Sequence, residues 1–101
     1  MGNFESQADK LIARDINMIV PWYLLASYAY YVEDDPIFTD SFYDNLSRKF
    51  KKEWKNINHF HKDLISLDDL SAGTYLGEYP NRVIGSLANL RKSVDNPSQM
   101  K

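Results

Sequence analysis

The chain has 101 residues, 44% hydrophobic and 26% charged, with a net charge of −2. This is enough for one domain with one modest core, and the near-neutral balance gives no general attraction to nucleic acid or to an anionic membrane. The absence of cysteine excludes a disulfide framework, thiolate catalysis and a thiolate metal site. No apolar run reaches the ~18 residues of a membrane span, and no secretory leader is visible, so a soluble cytoplasmic protein is expected.

Residues 4–33 read as helix. Leu11, Ile12, Ile16, Ile19 and Val20 recur at helical spacing, with Asp9, Lys10, Arg14 and Asp15 on the other side. Pro21 removes a main-chain hydrogen bond, which predicts a sharp kink, or one helix ending near Met18 and another opening with Pro21 at its first position. From Trp22 to Val32 the chain is apolar nearly all round, the pattern of the most buried element. Pro36 pushes Asp35 out of the α region, so this helix should stop at about Glu33 or Asp34.

The next helix spans 40–56, with Thr39 or Asp40 as its cap. Phe42, Leu46, Phe50 and Trp54 repeat every fourth position as a buried stripe. Arg48, Lys49, Lys51, Lys52 and Lys55 crowd its end. Favourable interaction with the helix C-terminus and a solvated face is the preferred reading, ahead of a phosphate contact. Residues 56–73 read as loop, with one helical turn near Ser66–Leu70 capped by Ser66-Leu-Asp-Asp. Tyr75, Leu76 and Tyr79 are expected to fold back on the core, and Pro80 opens a last helix carrying Val83, Ile84, Leu87 and Leu90 on one face. The tail from Ser93 is polar and expected to fray. The whole is expected to be all-α: a helical hairpin, Pro21–Glu33 and Asp40–Asn56, with an N-terminal helix and a C-terminal helix, Pro80–Lys92. Residues 1–95 form one domain and 96–101 a flexible tail.

One constellation carries chemistry. Asp40, Tyr43 and Asp44 share a face of the second hairpin helix, and the short turn brings Tyr30 and Tyr31 towards it. Phenol rings and carboxylates at such a corner suit a flat, cationic, hydroxyl-bearing ligand. On spacing alone a plain hairpin is preferred, in which Asp40 caps, Asp44 pairs with Arg48 and the tyrosines pack. Other signals are weaker. His59 and His61 lack the further ligands a metal needs, so no metal site is expected. The myristoylation-like Met1-Gly2 start and the Asn45-Leu46-Ser47 sequon read as chance matches. No Gly-rich phosphate loop, Lys-x-Asp-Gly motif or catalytic triad is present, so no enzymatic activity is expected.

The run Tyr30-Tyr31-Val32-x-Asp34-x-Pro36-x-x-x-Asp40-x-x-Tyr43-Asp44-x-Leu46-x-Arg48 resembles the N-terminal segment, domain Ia, of bacterial NAD-dependent DNA ligases, with ten typed positions in register. A looser match follows at His61-Lys-Asp-Leu-Ile-Ser-x-Asp68, so the likeness covers residues 22–69. In that family the segment is a helical cap that binds the nicotinamide mononucleotide (NMN) half of NAD and closes over an adenylation domain. The resemblance implies that Tyr30 stacks on nicotinamide, that Tyr31 holds the next motif position, and that Asp40, Tyr43 and Asp44 contact nicotinamide, ribose or phosphate. It departs where the family leads into adenylation: Leu70-Ser-Ala-Gly stands there instead, and Leu67 replaces a proline. The expectation is a stand-alone cap of the kind a bacteriophage could encode, with no required cofactor and NMN or NAD as ligand. Its biological role is expected to be interaction with a host or viral protein of nucleic-acid metabolism or defence. The alternatives are an NMN-binding module working in trans with an adenylation domain, or a DNA-binding accessory protein; nucleic acid is the less expected partner, and a membrane is not expected.

Overall fold

The computed structural model describes residues 2–72 and 79–95. They form an all-α fold, with α1 at Gly2–Arg14, α2 at Ile19–Tyr31, α3 at Asp40–Lys52, α4 at Leu67–Ala72 and α5 at Asn81–Asp95. Short 3-10 turns lie at Ile16–Met18, Trp54–Asn56 and Phe60–Leu64. The expected architecture holds, and α2 is its centre. Ile19, Val20, Trp22, Tyr23, Leu24, Leu25, Ala26, Ser27 and Ala29 are all buried, because α2 packs against α1, α3, α5 and the 60–64 turn. A helix covered on every side needs an apolar residue at nearly every position, which is what the sequence supplies. Among the described residues no helix is long and apolar enough to cross a membrane.

The boundaries move for identifiable reasons. The N-terminal helix stops at Arg14, earlier than expected, because Asp15 turns to extended backbone and its carboxylate accepts from Asn17 N–H at 3.1 Å. Pro21 is therefore the third residue of α2, not the first. It still sits in the first turn, where its missing N–H has no partner to lose. At the other end α2 closes at Tyr31, not Glu33. Val32 and Glu33 both donate to Tyr28 O, Asp34 takes a left-handed conformation (φ 53°), and Asp35 N–H reaches back to Ala29 O at 2.8 Å. The expected 40–56 helix ends at Lys52 and continues only as the 54–56 turn. The last helix runs Asn81–Asp95, with Pro80 just outside it accepting from Val83 and Ile84 N–H. It includes Ser93 to Asp95, where fraying was expected.

Capping followed the sequence more closely. Thr39 Oγ1 accepts from Phe42 N–H, so Thr39 is the cap of α3 and Asp40 is its first helical residue. Ser66 and Asp69 form a reciprocal box: Ser66 Oγ accepts from Asp69 N–H, and Asp69 Oδ2 from Ser66 N–H. The turn expected there grows into the six-residue α4. Tyr79 packs edge-on against Tyr28, 5.1 Å between ring centres; Tyr75, Leu76 and residues 96–101 lie outside the described residues.

Candidate functional site

The turn between α2 and α3 is fixed from three directions. Pro36 starts an apolar plug: Ile37 and Phe38 are buried, and Phe38 rests against Trp22 and Phe42. From α1, Glu5 Oε2 accepts the Thr39 N–H at 2.7 Å. From α5, Arg91 spans the turn. Its Nε donates to Glu33 Oε1 at 3.0 Å, one terminal nitrogen to Asp35 Oδ2 at 3.0 Å, and the other to the Asp35 carbonyl at 2.6 Å. A planar guanidinium suits such a fork, which a lysine could not reproduce.

Held this way, α2 and α3 bring together all five residues singled out in the sequence. Tyr30, Tyr31, Asp40, Tyr43 and Asp44 line one open depression of about 240 Å³. Their environments differ. Asp40 and Asp44 are exposed, and Tyr30 remains 38% exposed. Tyr30 and Tyr31 stack on each other, 4.8 Å between centres, so one face of each ring is already occupied. Tyr43 belongs to the core. It is 4% exposed, lies parallel to Tyr23 at 5.6 Å, and shares a 2.6 Å hydrogen bond with Ser27 Oγ. A hydroxyl held in this way is not offered to a ligand; what Tyr43 presents to the depression is ring surface. Asp44 and Arg48 form no ion pair, so the Asp44 carboxylate is available at the rim.

The electrostatics favour a cation. Burial raises the Tyr31 phenol above its ordinary value of 10.0, and the neighbouring Tyr43 and Tyr30 rings and the Asp44 and Asp40 carboxylates push it the same way. Burial also raises Tyr43, against the opposing effect of its hydrogen bond to Ser27. The Tyr31 and Tyr43 phenols are therefore protonated at neutral pH, in a field set by carboxylates. The corner can accept a flat cation against ring surface and hydrogen bonds from hydroxyls to carboxylate. Its volume is below the ~300–1,000 Å³ of usual small-molecule pockets, so it covers one side of a ligand only.

Sequence reasoning missed three supports: Ser27, Glu5 and Arg91. Ser27 had a signal, since it is the one polar residue in the apolar run 22–29 apart from ring hydroxyls, and it lies i, i+3, i+4 with Tyr30 and Tyr31. Arg91 follows Leu87 by four residues on the face that α5 buries. Glu5 had none, because its partner is 34 residues away. Among the described residues no group of three or more His, Asp or Glu side chains is placed to hold a metal ion. Comparison with protein-family models, with characterised proteins and with solved structures gives no match for this chain.

Proposed function

We propose that this chain is a non-enzymatic recognition module. Its α2–α3 corner receives the NMN portion of a nicotinamide nucleotide on one side, and a protein partner, such as an adenylation domain supplied in trans, closes the other. The observation that carries this reading is the single depression lined by Tyr30, Tyr31, Asp40, Tyr43 and Asp44. A pyridinium cation is attracted to ring faces, and ribose hydroxyls donate to carboxylates. The motif resemblance to ligase domain Ia supports the same ligand. With only one side covered, affinity for NMN alone should be about millimolar.

Calorimetric titration tests it. NMN should bind weakly, the reduced and uncharged nicotinamide analogue more weakly still, and Asp44→Asn or Tyr30→Ala should each cut affinity several-fold. Equal affinity for the charged and uncharged rings would refute the proposal.

A second reading drops the nucleotide and keeps the partner. It rests on the exposed apolar side chains Tyr30 and Val32 beside the corner, 38% and 55% exposed, since half-exposed aromatics are favoured interface anchors. A purified adenylation domain of an NAD-dependent ligase, captured equally with and without NMN and lost on Val32→Ser, would favour it over the first.

A further inference from the structure

The charges from the α2–α3 turn through α3 to the 54–56 turn are segregated. Residues 33–44 hold five carboxylates (Glu33, Asp34, Asp35, Asp40 and Asp44) and no cation, whereas residues 48–55 hold five cations and one carboxylate. The net charge of −2 conceals this. Asp40, Asp44, Arg48 and Lys51 recur at i, i+4, i+8 and i+11 on one side of α3, beside the buried Tyr43, Leu46, Ser47 and Phe50, and Lys55 follows in the 54–56 turn. Arg48, Lys51, Lys52 and Lys55 are all exposed. At 1.5 Å rise per residue Arg48 to Lys52 cover roughly 6 Å along α3, and Lys55 extends the strip past its end.

Complementing the helix terminus does not account for this strip. That effect falls off within the last turn, which leaves Arg48 and Lys55 outside its reach. The carbonyls beyond α3 already have their own cation from elsewhere in the chain. Lys62 Nζ donates to Trp54 O at 2.7 Å and to Ile57 O at 3.0 Å, and sits 4.5 Å from the Trp54 ring centre. The strip is not neutralised locally either. Glu53, its one carboxylate, accepts from the Asn56 amide at 2.9 Å, and none of the five cations makes an ion pair with a described residue.

We propose that Arg48, Lys51, Lys52 and Lys55 form a contact for the sugar–phosphate backbone of duplex DNA, bound without regard to sequence. An unneutralised row of four cations matches a linear polyanion. Within residues 48–55 the one partly exposed ring, Trp54, is already stacked on Phe50 and covered by Lys62, so the strip has no exposed large apolar side chain to insert into a lipid surface and no free ring for single-stranded bases. Contacts to phosphate carry no sequence information. The acidic turn at the other end of the same helix is repelled by the duplex, so it orients the corner away from the DNA while the strip docks. This inference is independent of nucleotide binding at the corner.

Fluorescence anisotropy with two labelled duplexes of unrelated sequence tests it. Both should bind equally, and affinity should fall roughly a hundredfold between 50 and 200 mM salt if four phosphates are engaged. The triple change Arg48→Glu, Lys52→Glu, Lys55→Glu should abolish binding, and Arg48→Gln with Lys55→Gln should weaken it about tenfold. Lys92→Glu on α5 should leave it unchanged, and circular dichroism should show every variant folded. No binding at low salt, binding indifferent to salt, or wild-type affinity in the folded glutamine variant would overturn the proposal. So would anionic vesicles bound as tightly as the duplex. Self-association that depends on the strip, without duplex binding, would instead identify the acidic turn of a second copy as the occupant.

Discussion

The hydrogen bond between Ser27 and Tyr43 joins the two helices of the corner, and its removal has a calculable signature. Ser27 is 0% exposed and Tyr43 4%, so neither hydroxyl can turn to water. Tyr43→Phe keeps the parallel contact with Tyr23 but leaves the Ser27 hydroxyl buried and unpaired, at a cost of about 1–3 kcal/mol. Ser27→Ala should cost less, about 1 kcal/mol, because the Tyr43 hydroxyl still has Tyr23 beside it. The double variant strands no Ser27 hydroxyl, so it should fall short of the sum by about 1 kcal/mol. Each kcal/mol corresponds to roughly 4–8 °C in Tm for a domain of this size, well within reach of thermal and urea melts followed by far-ultraviolet circular dichroism. Ser47→Ala is the contrast. Its hydroxyl is buried with no hydrogen-bond partner among the described residues, so the change should be neutral or stabilising. Additivity of the Ser27 and Tyr43 changes, or a loss of stability for Ser47→Ala matching that for Ser27→Ala, would refute the reasoning.

Three further outcomes follow from the same geometry. Gly85 lies within α5 with nothing within 4 Å of where a Cβ would stand, so Gly85→Ala should stabilise by about 0.5–1 kcal/mol; Asp34→Gly should also stabilise by relieving the positive φ, and Asp34→Val should do the reverse, all read as Tm shifts. Arg91→Ala should cost about 1 kcal/mol and lose part of that effect in high salt, because its carboxylate partners are partly exposed; Arg91→Lys should not restore it, and equal stability of lysine and arginine in salt-varied melts would count against the fork. Burial raises both the Tyr23 and Tyr43 phenols above 10.0. The unfolded chain therefore loses these protons first as pH rises, and their contribution to stability is complete below pH 10 and is lost above it. Unfolding free energies from urea melts should fall above pH 10, by about 1.4 kcal/mol per pH unit for each phenol that stays protonated; a flat profile there would contradict the burial.

Elements and partners were legible in the sequence to different degrees. The apolar character of α2, the Thr39 cap and the Ser66–Asp69 box were readable because they depend on residues within a few positions of one another. The five corner residues could be placed for the same reason: a helical repeat and a short turn leave little freedom. Helix ends were less legible. Asp15 and Asp34 leave helical geometry through backbone conformations that a short polar residue permits but does not demand. Long-range partners were least legible. Nothing local to Glu5 or Arg91 indicates that they meet residues 34 and 56–58 positions away. The split character of Tyr43, with its ring towards the depression and its hydroxyl in the core, follows only from knowing that Ser27 faces it.

The measurement that bears most directly on the role of the corner is an NMR titration of the isotope-labelled chain with NMN, following backbone amides and tyrosine rings together. Shifts should saturate with one common dissociation constant at Tyr30, Tyr31, Asp40 and Asp44, with a smaller change at the Tyr43 ring and none along Arg48–Lys55 beyond the first turn. Shifts spread along the basic strip with none at Tyr30 and Tyr31, or no shifts at millimolar nucleotide, would show that the corner does not recognise this ligand.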